Sequence, residues 1–357
     1  MVDWSSLPFD LVRHVAVCLL ATNDIDYYMN MRAVCCCWRI AIADPCRRGS
    51  DAHLLIFHPR QWIMLDEESE SENRLFVNVS TGRFLRLRLP LLRDHTVVSA
   101  SDGLVILRES NHPHAACVLN PFTGSLIRFS VPIHPEHIKM NAVTGSEPGL
   151  LRYTCHDGDK IFRCADPTSN FFSVQLSHRG QCKVQSMVAY AGHVYAVDME
   201  GSLFRIAGTV QHSYGELILK VKFLGKSTFF LVESAGDLLL VHDTHWGIFL
   251  IFRVDLELNM LEAVKSIGSR ALFLGPRSLS VDADKLPSIN GGCLYYKGST
   301  GMFVRDLKDG RESWISRMMP PNHTESFSVR PKSLVQVLFF YCMFAPNVKY
   351  LMKYLYY

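Results

Sequence analysis

The apolar residues near the N-terminus recur at helical spacing. Leu11, Val15 and Leu19 are four residues apart, and Val12 lies beside them on the same side. Such spacing places apolar side chains along one face of a helix. Pro8 suits the first turn of that helix, where its missing N–H has no intrahelical partner to lose. The pattern therefore predicts a helix that begins next to Pro8.

A second apolar stripe follows in the same region. Its members occupy the i, i+3, i+4 and i+7 positions of a helix: Val34, Cys37, Trp38 and Ala41. The stripe ends at Asp44-Pro45, because the residue before a proline is pushed out of the helical conformation. The two stripes predict a helical module over residues 1–48, which is too small to bury both of its apolar faces alone.

After residue 52 the chain consists of short apolar runs punctuated by turn residues. Eight glycines lead into such a run or stand in a tight turn between two runs: Gly82, Gly103, Gly124, Gly192, Gly201, Gly236, Gly292 and Gly310. Glycine readily adopts the positive φ angles that hairpin turns need. The pattern predicts many short strands joined by hairpins.

The spacing of these glycines predicts the architecture. Gly82 to Gly124 is 42 residues, Gly192 to Gly236 is 44, and Gly103 to Gly192 is 89, or two such steps. A repeat of about 40–50 residues that holds several strands is typical of propeller blades. Residues 52–345 therefore predict a mainly β fold, a β-propeller of about six blades, preceded by the small α-helical module. A sandwich or an irregular barrel is the alternative.

An apolar run of twelve residues lies near the C-terminal end, from Leu334 to Ala345. A membrane-spanning helix needs about 20 residues. We therefore expect a strand that is buried on both faces and closes the last sheet, ending at Pro346 because proline cannot donate to a strand ladder. Residues 346–357 form the remaining tail. A membrane tail anchor is the alternative.

Composition narrows the compartment and the class of partner. The 357 residues are 48% hydrophobic and 20% charged, which is typical of a globular protein with a large core. The net charge of +3 gives no reason to expect a nucleic acid or a membrane as partner. Eleven cysteines without a Cys-x-x-Cys pair, and no visible signal peptide, predict the cytoplasm or the nucleus.

The candidate chemical sites are weak. His242 and Asp243 are potential metal ligands, but neighbouring residues of a strand point to opposite faces. Cys35, Cys36 and Cys37 stand on consecutive helical positions 100° apart, so they cannot all face one ion. Small buried residues explain this triplet better. We expect no catalytic site, no metal and no cofactor.

The N-terminal segments WSSLPFDLVRHVAVCLL and RAVCCCWRIAIA resemble an F-box. The family docks on a Skp-type adaptor, which attaches it to a cullin–RING ubiquitin ligase. The resemblance implies seven adaptor-binding residues: Leu7, Pro8, Leu11, Val15, Leu19, Val34 and Trp38. A generic helical hairpin is the alternative.

The remainder, over residues 75–345, resembles the F-box-associated, kelch-like β-propeller of a large plant family of F-box proteins. Five segments carry the resemblance in order: FFLVESAGDLLLVHD, IFRVDLE, SIGSRALFLG, SVDADKLPSINGGCLYY and MFVRDLKDG. It implies a non-catalytic substrate-recognition subunit of an SCF-type ligase, whose propeller binds an unknown target protein. The alternatives are a propeller scaffold with a degenerate F-box and a propeller enzyme.

Overall fold

The computed structural model of the chain describes residues 4–45, 56–65, 72–133, 138–144, 149–156, 159–175, 184–206, 215–221, 227–244, 247–299, 301–317 and 333–343. The helical module opens with a short 3-10 helix, Trp4–Ser6. Three α-helices follow: α1 (Phe9–Ala21), α2 (Ile25–Ala33) and α3 (Cys36–Ala41).

The three helices pack around a small apolar core. It combines one face of each helix with the residue that leads into the propeller: Val12, Ala16, Tyr28, Met31, Ala41, Ile42 and Phe57. The hydroxyl of Tyr28 donates to the carbonyl of Ala43 at 2.7 Å, and Arg32 Nη1 donates to the carbonyl of Ile42 at 3.2 Å. Burial raises the pKa of Tyr28, which keeps its hydroxyl protonated as a donor. These bonds fix the end of α3 to α2.

The six sheets of the described chain are the blades of a six-bladed β-propeller, which confirms the predicted fold class. The first has three strands: β1 (Trp62–Met64), β2 (Asn73–Asn78) and β3 (Phe84–Arg88). The next two are β4 (His95–Ser101), β5 (Leu104–Glu109), β6 (Ala115–Leu119), β7 (Leu126–Pro132), and β8 (Ile138–Thr144), β9 (Gly149–His156), β10 (Asp159–Ala165), β11 (Ser173–Gln175).

The last three sheets complete the ring. The fourth contains β12 (Val184–Tyr190), β13 (His193–Asp198), β14 (Ser202–Ile206) and β15 (Gly215–Lys220). The fifth contains β16 (Thr228–Ser234), β17 (Asp237–Asp243), β18 (Phe249–Asp255) and β19 (Met260–Ala263). The sixth contains β20 (Arg270–Phe273), β21 (Leu279–Asp282), β22 (Cys293–Lys297), β23 (Gly301–Asp306) and β24 (Glu312–Arg317). Its spatial order is β21-β20-β22-β23-β24, with β20 and β22 parallel.

The glycines that predicted the blades stand in their turns. All eight have positive φ angles, between 68° and 89°. At Gly103 the need for glycine is also steric, because a Cβ atom there would lie 2.1 Å from the carbonyl oxygen of Pro59. The preceding residue, Asp102, has φ of 53°, so both central positions of this hairpin turn are left-handed.

Polar side chains join neighbouring blades where the strands β4, β8, β12, β16 and β21 lie side by side. The N–H of Leu231 donates to Ser186 Oγ at 3.0 Å, and the hydroxyls of Ser234 and Ser280 are 2.8 Å apart. The partners are 45 and 46 residues apart, so these bonds follow the blade period. The sequence repeat therefore places the atoms that hold adjacent blades together.

The C-terminal apolar run is a helix, so its interpretation as a closing strand is wrong. Helix α4 (Leu334–Met343) buries Leu338 and Phe339 in a core shared by the first and the sixth sheet. Its partners there include Val77 of β2 and Phe273 of β20. A run with a single polar residue, Gln336, fits a buried helix as well as a buried strand. Too few polar positions are present to show either the helical or the strand period.

The end of α4 is held by the segment after β20. Arg277 Nη2 donates to the carbonyl of Tyr341 at 2.8 Å. The backbone N–H of Arg277 donates to the carbonyl of Cys342 at 3.2 Å. The Arg277 guanidinium also lies 4.4 Å from the centre of the Tyr341 ring. A Cβ atom at Gly275 would lie 2.4 Å from the Cys342 carbonyl oxygen, so only glycine admits the helix at this distance. Helix α4 thus seals the junction between the two ends of the ring.

Within the described part of the chain, no helix has the length and apolar character that crossing a membrane requires. Ala345 and the predicted 346–357 tail lie outside the described residues.

Candidate partner-binding surface

The helical module exposes an unusual number of large apolar side chains for its size. Eight large apolar residues of the module are exposed to solvent: Trp4, Phe9, Leu11, Val15, Val17, Tyr27, Val34 and Ile40. Exposed apolar surface of this density is typical of sites that bind another protein.

The seven residues that the sequence predicts to bind an adaptor, which we call the docking face, all retain solvent exposure. Pro8, Leu11, Val15 and Val34 are exposed, while Leu7, Leu19 and Trp38 are half-buried. Their half-buried members rest against the module core without belonging to it. The docking face is thus compatible with contact to a partner.

The arrangement of the docking face on α1 follows from helix geometry. Successive residues are rotated by 100°, so Val12 and Ala16 point to the core when Leu11 and Val15 do not. Val12 is 0% exposed, whereas Leu11 and Val15 are 53% and 44% exposed. The sequence pattern placed Val12 on the same side of the helix as Leu11. The structure corrects this, because Val12 lies in the module core and Leu11 is exposed.

The second predicted stripe does not lie on one helix. Val34 follows the end of α2, and Cys35 has an extended backbone that separates it from α3. The Cys35 sulfur accepts the N–H of Trp38 at 3.4 Å and caps α3. The indole N–H of Trp38 donates to the carbonyl of Trp4 at 3.1 Å. Trp38 thereby ties α3 to the start of the described chain.

The cysteine triplet is not buried, contrary to expectation. Cys36 and Cys37 are exposed, and Cys35 is half-buried. The extended conformation of Cys35 removes it from the helical series on which that expectation depended. Among the described residues, no group of three potential ligands could hold a metal ion.

One arginine of the first blade fixes the helical module to the propeller. Arg83 lies in the turn between β2 and β3, and its guanidinium forms ion pairs with Asp24, at 3.4 Å, and with the buried Asp26. It also lies 3.9 Å from the centre of the Tyr27 ring. Two charge pairs and a cation–π contact converge on a single side chain. We call this set the Arg83 clamp.

A second set of bonds fixes the segment between module and propeller. Asn23 Nδ2 donates to the carbonyl of His58 at 2.8 Å, and the N–H of Gln61 donates to Asn23 Oδ1 at 3.2 Å. His58 Nδ1 lies 2.8 Å from an Asp102 carboxylate oxygen. With the Arg83 clamp, these bonds hold the module on the first two blades.

His242 has a structural place inside the fifth blade. Its ring stacks on Phe229 with centroids 4.8 Å apart, and Nε2 lies 2.8 Å from Ser227 Oγ. The residue is buried, while the neighbouring Asp243 is only half-buried. Packing and a hydrogen bond therefore account for His242.

Comparison with known proteins finds a family that matches the propeller. The sequence profile of the KIB1-4 beta-propeller family matches residues 76–325. No curated protein matches the chain. The β-propeller domain of Myceliophteria thermophila Cps50 (Swd1) is 14% identical, with 71% of this chain and 85% of that chain covered and a TM-score of 0.37. The computationally designed Ika8 protein is 13% identical, with 71% and 82% covered and a TM-score of 0.35. At these values neither structure bears on function.

Proposed function

This chain belongs to the KIB1-4 beta-propeller family, and we propose that it is a substrate-recognition subunit of an SCF-type cullin–RING ubiquitin ligase. The propeller fold supports a role in protein interaction. In the proposed arrangement the helical module acts as an F-box on a Skp-type adaptor, which binds the cullin, and the propeller binds the target protein.

The exposure of the docking face carries this proposal. None of its seven residues is buried, although the same helices bury Val12, Ala16, Tyr28 and Met31. A small module that leaves large aliphatic side chains in water gains stability when a partner covers them. The residues that resemble the F-box pattern are thus available for the contact that the pattern implies.

The Arg83 clamp supports the second half of the proposal. A ligase subunit must present its target at a defined position relative to the ubiquitin-carrying machinery. Asp24 and Asp26 at the start of α2 are held by Arg83, so the propeller cannot swing freely about the module. In this proposal the clamp holds the docking face of the module and the target-binding propeller in a fixed relative orientation.

We further propose that the protein is non-catalytic, uses no cofactor and acts in the cytoplasm or the nucleus, with neither nucleic acid nor membrane as its partner. The transfer chemistry belongs to other subunits of the ligase. The role of this chain is non-covalent. It binds the target protein and raises the effective concentration of that target near the subunits that transfer ubiquitin.

Two valines of α1 provide a matched test. Val15 and Val17 are both exposed, at 44% and 62%, but they are two positions and therefore 200° apart around the helix. Val15→Asp places a charge in the docking face, whereas Val17→Asp places it on the opposite side. We expect Val15→Asp to abolish co-precipitation of the full chain with a Skp-type adaptor and Val17→Asp to preserve it, since a charge buried without a partner is costly.

Circular dichroism checks that both variants keep the helical signal of the parent protein. Equal adaptor binding by parent, Val15→Asp and Val17→Asp would remove the docking face from the interaction. A parent chain that does not bind the adaptor would overturn the ligase assignment itself.

A further inference from the structure

The third strand of the first blade, β3, lies at an edge of its sheet. It pairs with β2 on one side, with Leu85 opposite Phe76 and Arg86 opposite Leu75. Among the described residues, no strand pairs with β3 on its other side. An edge of this kind carries backbone N–H and C=O groups that can bond to a further strand. We call residues 84–88 the β3 edge.

The backbone bonds that flank β3 show which of its residues face outward. The carbonyl of Arg83 accepts a backbone N–H at 2.8 Å, and the N–H of Leu89 donates to a backbone carbonyl at 2.7 Å, both on the β2 side. Bonded and non-bonded positions alternate along an antiparallel strand. The odd-numbered residues of β3 therefore bond to β2, whereas Phe84, Arg86 and Arg88 direct their N–H and C=O groups outward.

The same three residues also expose their side chains. Phe84, Arg86 and Arg88 are exposed, while Leu85 and Leu87 between them are half-buried against the core of the first two blades. A strand that bonded to the outward backbone groups would place a side chain of its own directly opposite each exposed one. Such cross-strand neighbours are close enough to contact each other.

The charge of this surface favours an acidic neighbour. Residues 84–93 contain three arginines, Arg86, Arg88 and Arg93, and no acidic residue. Glu72 is already held there by two of them, since Arg88 Nε donates to its carboxylate at 2.8 Å and Arg93 forms a second ion pair. These contacts hold the pKa of Glu72 below its ordinary value. Arg86 forms no ion pair with another described residue.

A second copy of this chain fits the β3 edge poorly. Two β3 edges paired antiparallel about a two-fold axis at their centre would set Arg86 opposite Arg86. Like charges directly opposite each other destabilise a strand pair. A segment with a carboxylate at that position would instead form a cross-strand ion pair.

We propose that the β3 edge binds an extended acidic segment of a partner protein as an added antiparallel strand. The segment has Asp or Glu opposite Arg86 and an aromatic or aliphatic residue two positions later, opposite Phe84. Backbone bonds supply affinity, and the two side-chain pairs supply specificity. The identification of this partner with the target of the ligase rests on the proposed function.

The test measures fluorescence anisotropy of labelled peptides with the full chain. One peptide has the sequence Thr-Glu-Val-Glu-Val-Tyr-Thr, and its charge-reversed counterpart has Lys in place of each Glu. We expect the Glu peptide to bind the parent protein, and Arg86→Glu to weaken that binding tenfold or more while strengthening binding of the Lys peptide. Arg128→Glu, at an exposed arginine of β7, is the matched control and should change neither affinity more than about twofold.

Two substitutions at one position test the backbone half of the proposal. Arg86→Thr and Arg86→Pro both remove the charge, but proline also removes the outward N–H and breaks no bond to β2. We expect Arg86→Pro to bind the Glu peptide about fivefold more weakly than Arg86→Thr. If Arg86→Pro does not fold, methylation of the peptide nitrogen at the central Glu removes the matching bond from the other side. Equal affinities in this comparison would refute strand addition.

The other outcomes are equally decisive. Absence of binding to the parent, or equal binding by parent and Arg86→Glu, would overturn the proposal. Binding that appears only after Glu67, Glu68 and Glu70 are all changed to Gln would assign the edge to the acidic segment of this chain itself. A parent dimer that Arg86→Pro converts to a monomer would assign the edge to a second copy. Both results would also overturn the proposal.

The proposed function fails separately. A chain that binds a Skp-type adaptor but not the Glu peptide would overturn only the β3 edge. A chain that binds the Glu peptide but no adaptor would support the β3 edge, and the ligase assignment alone would fall.

Discussion

The helical module and the propeller treat their large apolar side chains in opposite ways. Eight exposed large apolar residues lie within residues 4–45, against ten in all other described residues, which are several times more numerous. The blades enclose their apolar residues in cores between neighbouring sheets. The propeller therefore buries most of its large apolar side chains, whereas the module leaves a large share of its own exposed to solvent.

The largest loss of stability is expected where the propeller depends on a single packed element. Leu338→Ala removes a fully buried side chain from the core that α4 shares with the first and sixth sheets. We expect a cost of about 4 kcal/mol in the free energy of unfolding, from lost burial and the cavity that remains. Urea unfolding followed by tryptophan fluorescence measures it. Val337→Ala, at a half-exposed position of α4, is the control and should cost much less.

The next effect concerns the junction of the two regions. Arg83→Ala leaves the buried carboxylate of Asp26 without its cation, which we expect to cost about 3 kcal/mol of module docking. The helical signal in circular dichroism should then be lost at a lower temperature than the strand signal.

Arg86→Ala is the matched control for the clamp, because Arg86 is an exposed arginine on the adjoining strand β3. Its unfolding free energy should change by no more than about 0.5 kcal/mol. Simultaneous melting of both signals in Arg83→Ala would contradict the role of the clamp.

Two turn glycines of the second blade separate backbone strain from close approach. Both have φ near +75°, but a Cβ atom would clash with Pro59 at Gly103 and would meet nothing within 4 Å at Gly124. We expect Gly103→Ala to cost about 2 kcal/mol and Gly124→Ala about 1 kcal/mol. Thermal unfolding of the two variants gives the difference, and equal costs would show that the Pro59 contact does not matter.

The smallest effect is expected on the docking face. Leu11→Ser should change the free energy of unfolding by no more than about 0.5 kcal/mol, because the side chain is already largely in water. Val12→Ser, one residue further along and fully buried, should be clearly destabilising. If Leu11→Ser were the more damaging of the two, the contrast between module and propeller would fail.

The features that the sequence predicted best are the repeated turns of the blades and the local helical segments. The turn glycines fixed the period of the blades because a positive φ angle restricts the choice of residue at every turn. Helix α4 was misread because a twelve-residue run with one polar residue, Gln336, shows no clear period. For that case the decisive signal, burial against two distant sheets, is tertiary.

The site was predictable only in part for a similar reason. The docking-face residues come from the resemblance to the F-box pattern, and all seven keep solvent exposure, although Val34 lies after the end of α2 and Trp38 lies in α3. The Arg83 clamp was missed because its partners lie 57 and 59 residues away in the chain. Only folding reveals that a turn arginine in the first blade meets the acidic start of α2. The exposed thiols were missed because nothing in three adjacent cysteines indicates that a backbone extension precedes α3.

The position of α4 sets an order for synthesis on the ribosome. The first sheet is finished by Arg88, yet part of the apolar core that contains Val77 is supplied by residues 334–343. About 250 residues must be translated in between, which takes roughly ten to fifty seconds at ordinary elongation rates. During that interval the nascent first blade exposes apolar surface that α4 later covers. Chaperones that recognise apolar segments would have their longest opportunity on this blade, and the newborn protein would become independent of them only as α4 emerges.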